Sequence, residues 1–152
     1  MRIGIVTTWY ERGAAYVSLA YMESLISSGN HVFIYARGGQ PFSKGDPKWD
    51  LPNITPGIRY KPLDKAFLNY SEQYINMVHF EKWLQTNSID IIIFNEEHNA
   101  VTVNRVKKLG YFVGAYIDYY KKDTVKDFKV YDFLLCNTKR HYSVFKDFDN
   151  AL

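Results

Sequence analysis

Five short apolar runs recur along the chain, and each is almost continuous instead of alternating apolar with polar positions. The runs are RIGIV (2–6), HVFIYA (31–36), IDIIIF (89–94), YFVGAYI (111–117) and YDFLLC (131–136). Continuous runs of this length are typical of strands that are buried on both faces, as in a parallel sheet covered by helices. A weaker run, GIRYKPL (57–63), predicts a further strand at or near an edge of that sheet.

Stretches with helical periodicity lie between these runs. The predicted helices cover residues 15–28, 70–86, 97–109 and 138–147. Asn69 with Glu72, and Thr138, are start signals, while Gly29 and Gly110 are stop signals. The alternation of strand and helix predicts one α/β domain over residues 1–152, with a Rossmann-like doubly wound, mostly parallel sheet and helices on both faces.

One segment interrupts this alternation. Residues 37–57 hold four of the five prolines and several glycines, which predicts a long loop between the second strand and the rest of the sheet. Loops of such length are commonly functional or mobile.

Composition and charge narrow the choice of partners. The formal net charge of +3 is too small for the dense basic face that nucleic-acid binding needs. Basic residues crowd between 107 and 140, where acidic residues interleave with them, so they form a solvated face or attract an anionic surface weakly.

The single cysteine, Cys136, allows no disulfide within the chain, which favours a reducing compartment. No apolar run approaches the ~18 residues of a membrane span, and the N-terminus does not resemble a signal peptide, so we expect the cytoplasm.

Polar and aromatic residues follow the predicted strands. In open α/β sheets ligands bind outside the carboxyl ends of the strands, so these clusters are expected to converge on one rim. They are Thr7 to Ala14, Arg37 to Gly39, Asn95 to Asn99, Asp118 to Lys122 and Asn137 to Arg140.

The first strand is followed by the turn TTWYERGAAY. It contains one glycine, Gly13, where a dinucleotide-binding turn has G-x-G-x-x-G, and the second strand ends in Ala36-Arg37 instead of an acidic residue. An NAD-binding site is therefore disfavoured. A helix that starts at Gly13, Ala14 and Ala15, with small residues and free backbone N–H groups, favours an anion or a hydroxyl-rich ligand.

Charged residues open the turn after the IDIIIF run. Glu96, Glu97 and His98 have three interpretations: metal or acid/base groups, a polar ligand site, or helix capping with solvated charge. Consecutive residues rarely converge on one metal ion, so a metal is the least favoured of the three.

Two further clusters follow the last two strands. Asp118, followed by Tyr119 and Tyr120, can transfer a proton, accept hydrogen bonds from ligand hydroxyls, or cap a turn. Asn137 and Thr138 are expected to cap the last helix, with Arg140 or His141 pointing at the cleft. No arrangement of Ser, His and Asp or of Cys and His is visible, so no nucleophile is predicted.

The ordered set of motifs resembles the N-terminal half of GT-B glycosyltransferases, especially glycosyltransferase family 4. The segment MRIGIVTTW…RGAAYVSLAYMESLISSGNHVFIYAR is similar to the first strand, loop, helix and second strand of that family. YDFLLCNTKRHYSVF resembles the last strand and helix of the family's N-terminal domain. The resemblance extends over nearly the whole chain.

The resemblance implies an acceptor-binding N-terminal domain of a nucleotide-sugar-dependent, retaining glycosyltransferase of glycan or polysaccharide biosynthesis. The donor would be bound by a C-terminal domain of the same polypeptide, which would follow Leu152, so this chain alone would be inactive. The resemblance implies no metal and no cofactor, because helix dipoles and basic side chains of the second domain would stabilise the leaving diphosphate.

Site residues and partners are carried over on the same basis. Asp118 is the candidate catalytic residue, at a position where relatives place a polar residue, commonly His. The cleft would be lined by Glu11, Arg12, Gly13, Ala14, Glu96, Glu97, His98, Asn99, Tyr119, Tyr120, Asn137 and Arg140. Expected partners are a sugar or glycan acceptor, the inner face of a membrane through peripheral association, and a second copy through the cleft face that the missing domain leaves bare. The alternative is a free-standing Rossmann-like or flavodoxin-like module that binds a ligand or partner without catalysis.

Overall fold

The computed structural model describes residues 1–59, 75–95, 97 and 99–152. In these residues six strands alternate with four α-helices and one 3-10 helix. Their bounds are β1 Arg2–Thr7, α1 Gly13–Ser27, β2 His31–Ala36, β3 Ile54–Pro56, α2 Met77–Thr86, β4 Ile91–Asn95, α3 Ala100–Lys108, β5 Phe112–Ile117, the 3-10 helix Val125–Val130, β6 Phe133–Cys136 and α4 Lys139–Phe145.

The strands form one parallel sheet in the order β3-β2-β1-β4-β5-β6. The order reverses between β1 and β4, where Ile5 lies opposite Ile34 on one side and Ile93 on the other. At the far edge Leu152 donates its N–H to the Leu134 carbonyl at 2.9 Å, beside β6. The predicted Rossmann-like doubly wound sheet is confirmed, and its topological switch point lies between β1 and β4.

Each face of the sheet carries its own apolar core. On one face α1 and Trp49 pack over Ile5, Ile34 and Ile93. The opposite core is built from α2, α3 and the sheet, with the fully buried side chains Phe80, Leu84, Ile92, Val106 and Val113. Burial on both faces is the reason why the strand sequences are continuously apolar.

The proline-rich segment after β2 packs against α1. The Trp9 indole donates to the Trp49 carbonyl at 2.7 Å, and the Trp49 ring meets the rings of Trp9 and Tyr16 edge-on, with both centroid distances at 5.3 Å. Trp49 is 2% exposed, so one buried side chain holds the middle of this long loop.

Some predicted bounds were wrong. The edge strand is β3, at Ile54–Pro56, instead of 57–63; residues 57–59 follow it outside any strand, and the rest of that range lies outside the described residues. α2 begins at Met77, where Asn76 caps it by accepting from the His79 N–H at 3.1 Å, so residues 75–76 are not helical. The start signal at Asn69 and Glu72 lies outside the described residues. Gly29 and Gly110 do follow α1 and α3, both at positive φ.

Among the described helices, none combines the length and apolarity needed to cross a bilayer.

Gly38 lies just after β2, where the chain passes the backbone that follows β3 at close range. A Cβ at Gly38 would lie 2.6 Å from the Ile58 carbonyl oxygen, against backbone that cannot rotate away. We expect Gly38→Ala to lower the free energy of unfolding by about 1–3 kcal/mol, measured by urea unfolding. The control is Gly13→Ala, where the added Cβ meets nothing within 4 Å. Equal stability of the two variants would contradict the predicted clash.

A tyrosine of β2 pairs with a histidine of α2. The Tyr35 hydroxyl lies 3.0 Å from His79 Nδ1. Burial raises the pKa of Tyr35 to about 12, opposed by a hydrogen bond with the Ile58 backbone, so the phenol keeps its proton and can donate a hydrogen bond to Nδ1 when that nitrogen is unprotonated. Burial, and then the charge of Lys82, lower the pKa of His79, which favours the neutral imidazole that accepts this bond.

The lowered pKa of His79 predicts a pH dependence of stability. The unfolded chain binds a proton at His79 more readily than the folded chain does. The stabilisation that comes with the neutral ring is therefore complete above the ordinary pKa of 6.5 and is lost as the pH falls through 6.5 towards the folded pKa. In melting curves from pH about 8 to about 5, the parent should lose more stability than His79→Gln, which keeps an acceptor but does not titrate. His31→Gln, at an exposed histidine, should follow the parent. Parallel curves for the parent and His79→Gln would disprove the linkage.

Candidate functional site

The carboxyl ends of β1, β2 and β4 meet at the switch point, and Arg37 joins them. Ala36 lies opposite Thr7 in the parallel register, so the next residue, Arg37, donates its backbone N–H to the Thr7 carbonyl at 2.9 Å. Its guanidinium Nη2 donates to the Asn95 carbonyl at the end of β4. One arginine therefore spans the ends of three strands.

The side chain of Asn95 fixes the start of α1 over this junction. Asn95 is 2% exposed, and its Nδ2 donates to the Ala14 carbonyl at 3.0 Å and to Ser18 Oγ at 2.9 Å. Ser18 in turn donates to Thr7 Oγ1 at 2.8 Å. Because the Ala14 carbonyl can only accept, the amide nitrogen must face α1, which fixes the position of Asn95 Oδ1 as well.

The first turn of α1 differs from the predicted row of free donors. The N–H groups of Ala15 and Tyr16 both donate to the Arg12 carbonyl, at 3.0 and 3.2 Å. Ala14 and Ala15 are buried, while Arg12 and Gly13 are exposed. The prediction of a free N–H group at Ala15 was therefore wrong.

The turn between β4 and α3 buries a carboxylate. Glu97 is 4% exposed, and its Oε1 accepts from the Asn99 N–H at 2.7 Å. Asn99 then caps α3 by accepting from the Val101 N–H at 2.9 Å. Glu97 thus caps the local backbone, but its charge is not solvated as the capping interpretation expected. Glu96 and His98 lie outside the described residues, and in the described part of the chain no three His, Cys, Asp or Glu side chains form a group that could hold a metal ion.

The charges of Glu97 and Arg37 both act on the phenol of Tyr131. Tyr131 donates to the Glu97 carbonyl oxygen at 2.7 Å. Burial raises its pKa well above the usual value; the charge of Glu97 raises the pKa further, and that of Arg37 lowers it. Opposite charges therefore act on the same buried phenol.

A second polar group lies beyond β5 and β6. Asn137 Nδ2 donates to the Tyr116 hydroxyl, so the prediction that Asn137 caps the last helix was wrong. Thr138 alone fills that role, accepting from the His141 N–H at 3.0 Å. Asp118 is half-buried beside them. Burial raises the pKa of Tyr116, the hydrogen bond from Asn137 lowers it, and the charge of Asp118 raises it.

The other predicted cleft residues lie around these two groups. Glu11 is exposed, and its carboxylate accepts from the Tyr16 hydroxyl at 3.2 Å. Tyr119 and Arg140 are exposed, whereas Tyr120 is half-buried with its ring edge-on to His141. Hydrogen bonds connect the ends of β1, β2 and β4 into one unit, and the residues after β5 and β6 form a neighbouring unit along the same edge of the sheet.

Buried polar atoms without partners concentrate on this edge. Of seven such side-chain atoms in the described residues, six belong to residues at or beyond the carboxyl ends of strands, and only Trp83 Nε1 lies elsewhere. The six are Thr8 Oγ1, Arg37 Nε, Gln40 Oε1, Asn95 Oδ1, Asn99 Nδ2 and His141 Nδ1. An unpartnered buried polar atom costs about 1–3 kcal/mol, so this edge is where the described residues leave most of their hydrogen-bonding capacity unused.

The predicted cleft set omitted Thr8, Arg37, Gln40 and Asn95. Three of them belong to the strand-end clusters, and Asn95 carries a readable signal, since it is the polar residue that ends the buried run IIIFN. Gln40 follows the glycine pair after β2 and carries no such signal.

A scan against protein-family models matched no family, and a search of curated proteins found no match. The function is therefore argued from the fold and from the site.

The network at Asn95 predicts a large effect of one conservative substitution. Asn95→Asp replaces the donor to the Ala14 carbonyl with an acceptor inside a buried site, so we expect the free energy of unfolding to fall by about 2–3 kcal/mol in urea titrations. The control, Asn30→Asp, removes a half-buried amide that makes a 3.1 Å bond to the Leu25 carbonyl at the end of α1. If Asn95→Asp is no less stable than this control, the network does not hold α1.

Proposed function

We propose that this chain is the acceptor-binding N-terminal domain of a nucleotide-sugar-dependent glycosyltransferase with two facing Rossmann-like domains. The acceptor, a sugar or glycan, binds at the carboxyl edge of the sheet. The nucleotide sugar is held mainly by a second domain of the same polypeptide, in the cytoplasm. A parallel sheet supports many functions, so the proposal depends on the site more than on the fold.

The observation that carries the proposal is the polar junction at the switch point. Ligands of open α/β sheets bind there, and Thr8, Arg37 and Asn95 bring buried hydrogen-bonding atoms without partners to that place. The resemblance of the β1–α1–β2 segment and of the β6–α4 segment to family 4 glycosyltransferases agrees with this location. Asp118, half-buried beside Tyr116 on the same edge, is the candidate for proton transfer.

The dinucleotide alternative finds little support at the same place. A ribose-binding carboxylate is expected at the end of β2, but that position holds Arg37, whose guanidinium donates to the Asn95 carbonyl. The β1–α1 turn has a single glycine, Gly13, and the N–H of Ala15 is already bonded within the helix.

The second candidate function is a free-standing ligand-binding module. It is favoured by one observation: hydrogen bonds among Arg37, Thr7, Asn95 and Ser18 connect the ends of β1, β2 and β4 to α1. The two functions differ in whether a donor-binding domain belongs to the same polypeptide.

The reading frame beyond codon 152 separates the two candidates. The proposal expects a further domain of about 200 residues with a second strand–helix series and a spaced pair of glutamates. The product of the whole frame should release nucleoside diphosphate from a nucleotide sugar when the acceptor is present, and residues 1–152 alone should not. A stop codon directly after Leu152, or turnover of nucleotide sugars by the 152-residue chain, would refute the proposal.

The whole product also tests the role of Asp118. Asp118→Asn should lower kcat by roughly a hundredfold or more if its carboxyl transfers a proton. Asp123→Asn, an exposed position in the same turn, is the matched control. Equal kcat values for the two variants would leave Asp118 without a catalytic role.

A further inference from the structure

On the α1 side of the sheet, β5 and β6 leave an apolar face partly open. Among the described residues, α3 and α4 are the helices that make extended contacts with these two strands. Both pack on the opposite side, because Val103, Val106 and Phe145 belong to the opposite core. On the α1 side Phe133 and Leu135 are only partly buried. Strands of a parallel sheet are normally buried on both faces, so this open face is suited to an apolar partner surface.

Two stacked phenylalanine rings form a ridge on the open face. The Phe133 ring lies over Gly114, where a Cβ would collide with it. The Phe112 ring stacks on Phe133 with a centroid distance of 5.3 Å and an interplanar angle of 25°. Phe112 nevertheless remains 50% exposed. The bare backbone of one glycine therefore seats an aromatic pair whose outer ring is left to solvent.

A groove lies beside the ridge, along the flank of α1. Its volume is about 280 Å³, and its lining residues are Val17, Ala20, Tyr21 and Ser24. The Tyr21 ring meets the Tyr116 ring of β5 edge-on, with the centroids 5.2 Å apart, so the groove adjoins the sheet at Tyr116. Tyr116 and Phe112 are separated along β5 by roughly 13 Å, at the rise of an extended strand. The groove and the ridge are therefore neighbours on one face.

The open face has the size of an interface core. An aromatic side chain buries about 150–250 Å², so the half-exposed Phe112 alone leaves on the order of 100 Å² of apolar surface uncovered. Phe133, Leu135 and Tyr21 add further partly exposed surface. Contiguous apolar patches of a few hundred Å² mark interaction sites. A standard interface buries about 800 Å² on each partner, with a polar rim around an apolar core.

The side chains of the open face carry no charge. They are Val17, Ala20, Tyr21, Ser24, Phe112, Tyr116, Phe133 and Leu135, in a chain with 19 basic and 16 acidic residues. Two copies can therefore meet here without like-charge repulsion, whereas a charged partner finds no counter-charge in this set. Because ridge and groove lie side by side, a two-fold rotation places the ridge of each copy over the groove of the other. This self-complementarity favours a second copy of the chain as the partner.

We propose that two copies of this chain dimerise through the open face about a two-fold axis, with the Phe112–Phe133 ridge of each copy in the α1 groove of the other. The ridge stands where β5 and β6 begin, away from the carboxyl edge. This interface is thus distinct from the self-association through the cleft face that the resemblance implies. The inference does not rest on the proposed function, since it uses none of the predicted cleft residues.

Sedimentation equilibrium of residues 1–152 tests the stoichiometry. From about 1 µM to about 1 mM the chain should pass from monomer to dimer and no further. In ¹⁵N–¹H NMR spectra over the same range, the backbone signals of Ala20, Tyr21, Phe112 and Gly114 should shift with concentration, because these residues become covered.

Two variants place a charge in the interface. Phe112→Asp puts a carboxylate on the ridge, and Ala20→Arg fills the groove with a guanidinium. Each should weaken dimerisation by at least about tenfold, because its charge is buried without a partner. The Tm of each variant shows whether it stays folded, and the two sites lie on different elements, so the loss of one variant leaves the other as a test.

The matched controls place the same side chains on exposed apolar positions outside the face. They are Val101→Asp in α3, where the native side chain is 58% exposed, and Ile26→Arg, where it is 46% exposed. At 3.6 residues per turn, Ile26 lies on the opposite side of α1 from Val17. Both controls should dimerise as the parent does.

Four results would overturn the inference. They are a monomer at every concentration, dimerisation that both interface variants leave unchanged, equal weakening in the controls, and concentration-dependent shifts confined to the carboxyl edge. The last of these would assign self-association to the cleft face instead.

Discussion

The buried amide of Asn95 is the contact on which the carboxyl edge of this protein depends. It ends β4, yet its nitrogen bonds the first turns of α1, the helix that follows β1 on the other side of the switch point. The two halves of the doubly wound sheet are also joined there by the β1–β4 ladder and by the Arg37 guanidinium. A hydrogen bond made in a buried site is costly to lose, so the amide sets where the β1–α1 turn lies.

On the β2 side of the junction, close packing of two backbone segments positions the chain. Gly38 and Gly57 let two backbone segments approach where a side chain would collide, and the Gly57 N–H donates to the Ala36 carbonyl at 2.6 Å. This close approach directs the chain after β2 so that Arg37 reaches across to β4. The buried ring of Trp49 then holds the following loop against α1. Packing and polar contacts therefore position the same arginine from opposite sides.

The sequence predicts the elements of this fold better than its contacts. Continuous apolar runs have one satisfactory environment, a sheet buried on both faces, so the five main strands and their parallel arrangement were predictable. The edge strand was misplaced because β3 pairs with β2 over only three residues. Just before it, the Asn53 side chain donates to the Val32 carbonyl. At the site, local signals assigned Asn137 to a helix cap and left Glu97 with three interpretations, of which the capping one expected a solvated charge. The Asn137 amide bonds the Tyr116 hydroxyl, and the Glu97 backbone carbonyl accepts from Tyr131; these partners lie 21 and 34 residues away in sequence, and no local pattern contains such contacts.

The distribution of unpartnered polar atoms links stability to function in this fold. Elsewhere the cores are apolar on both faces, and Trp83 Nε1 is the single such atom off the carboxyl edge among the described residues. Unpartnered buried atoms cost folding free energy, and they persist where the surrounding structure is strong enough to hold them. The clamp made by Asn95 and the close approach at Gly38 supply that strength next to Thr8 and Arg37. A junction that is rigid and incompletely hydrogen-bonded has its geometry set before a ligand arrives, so ordering on binding costs less.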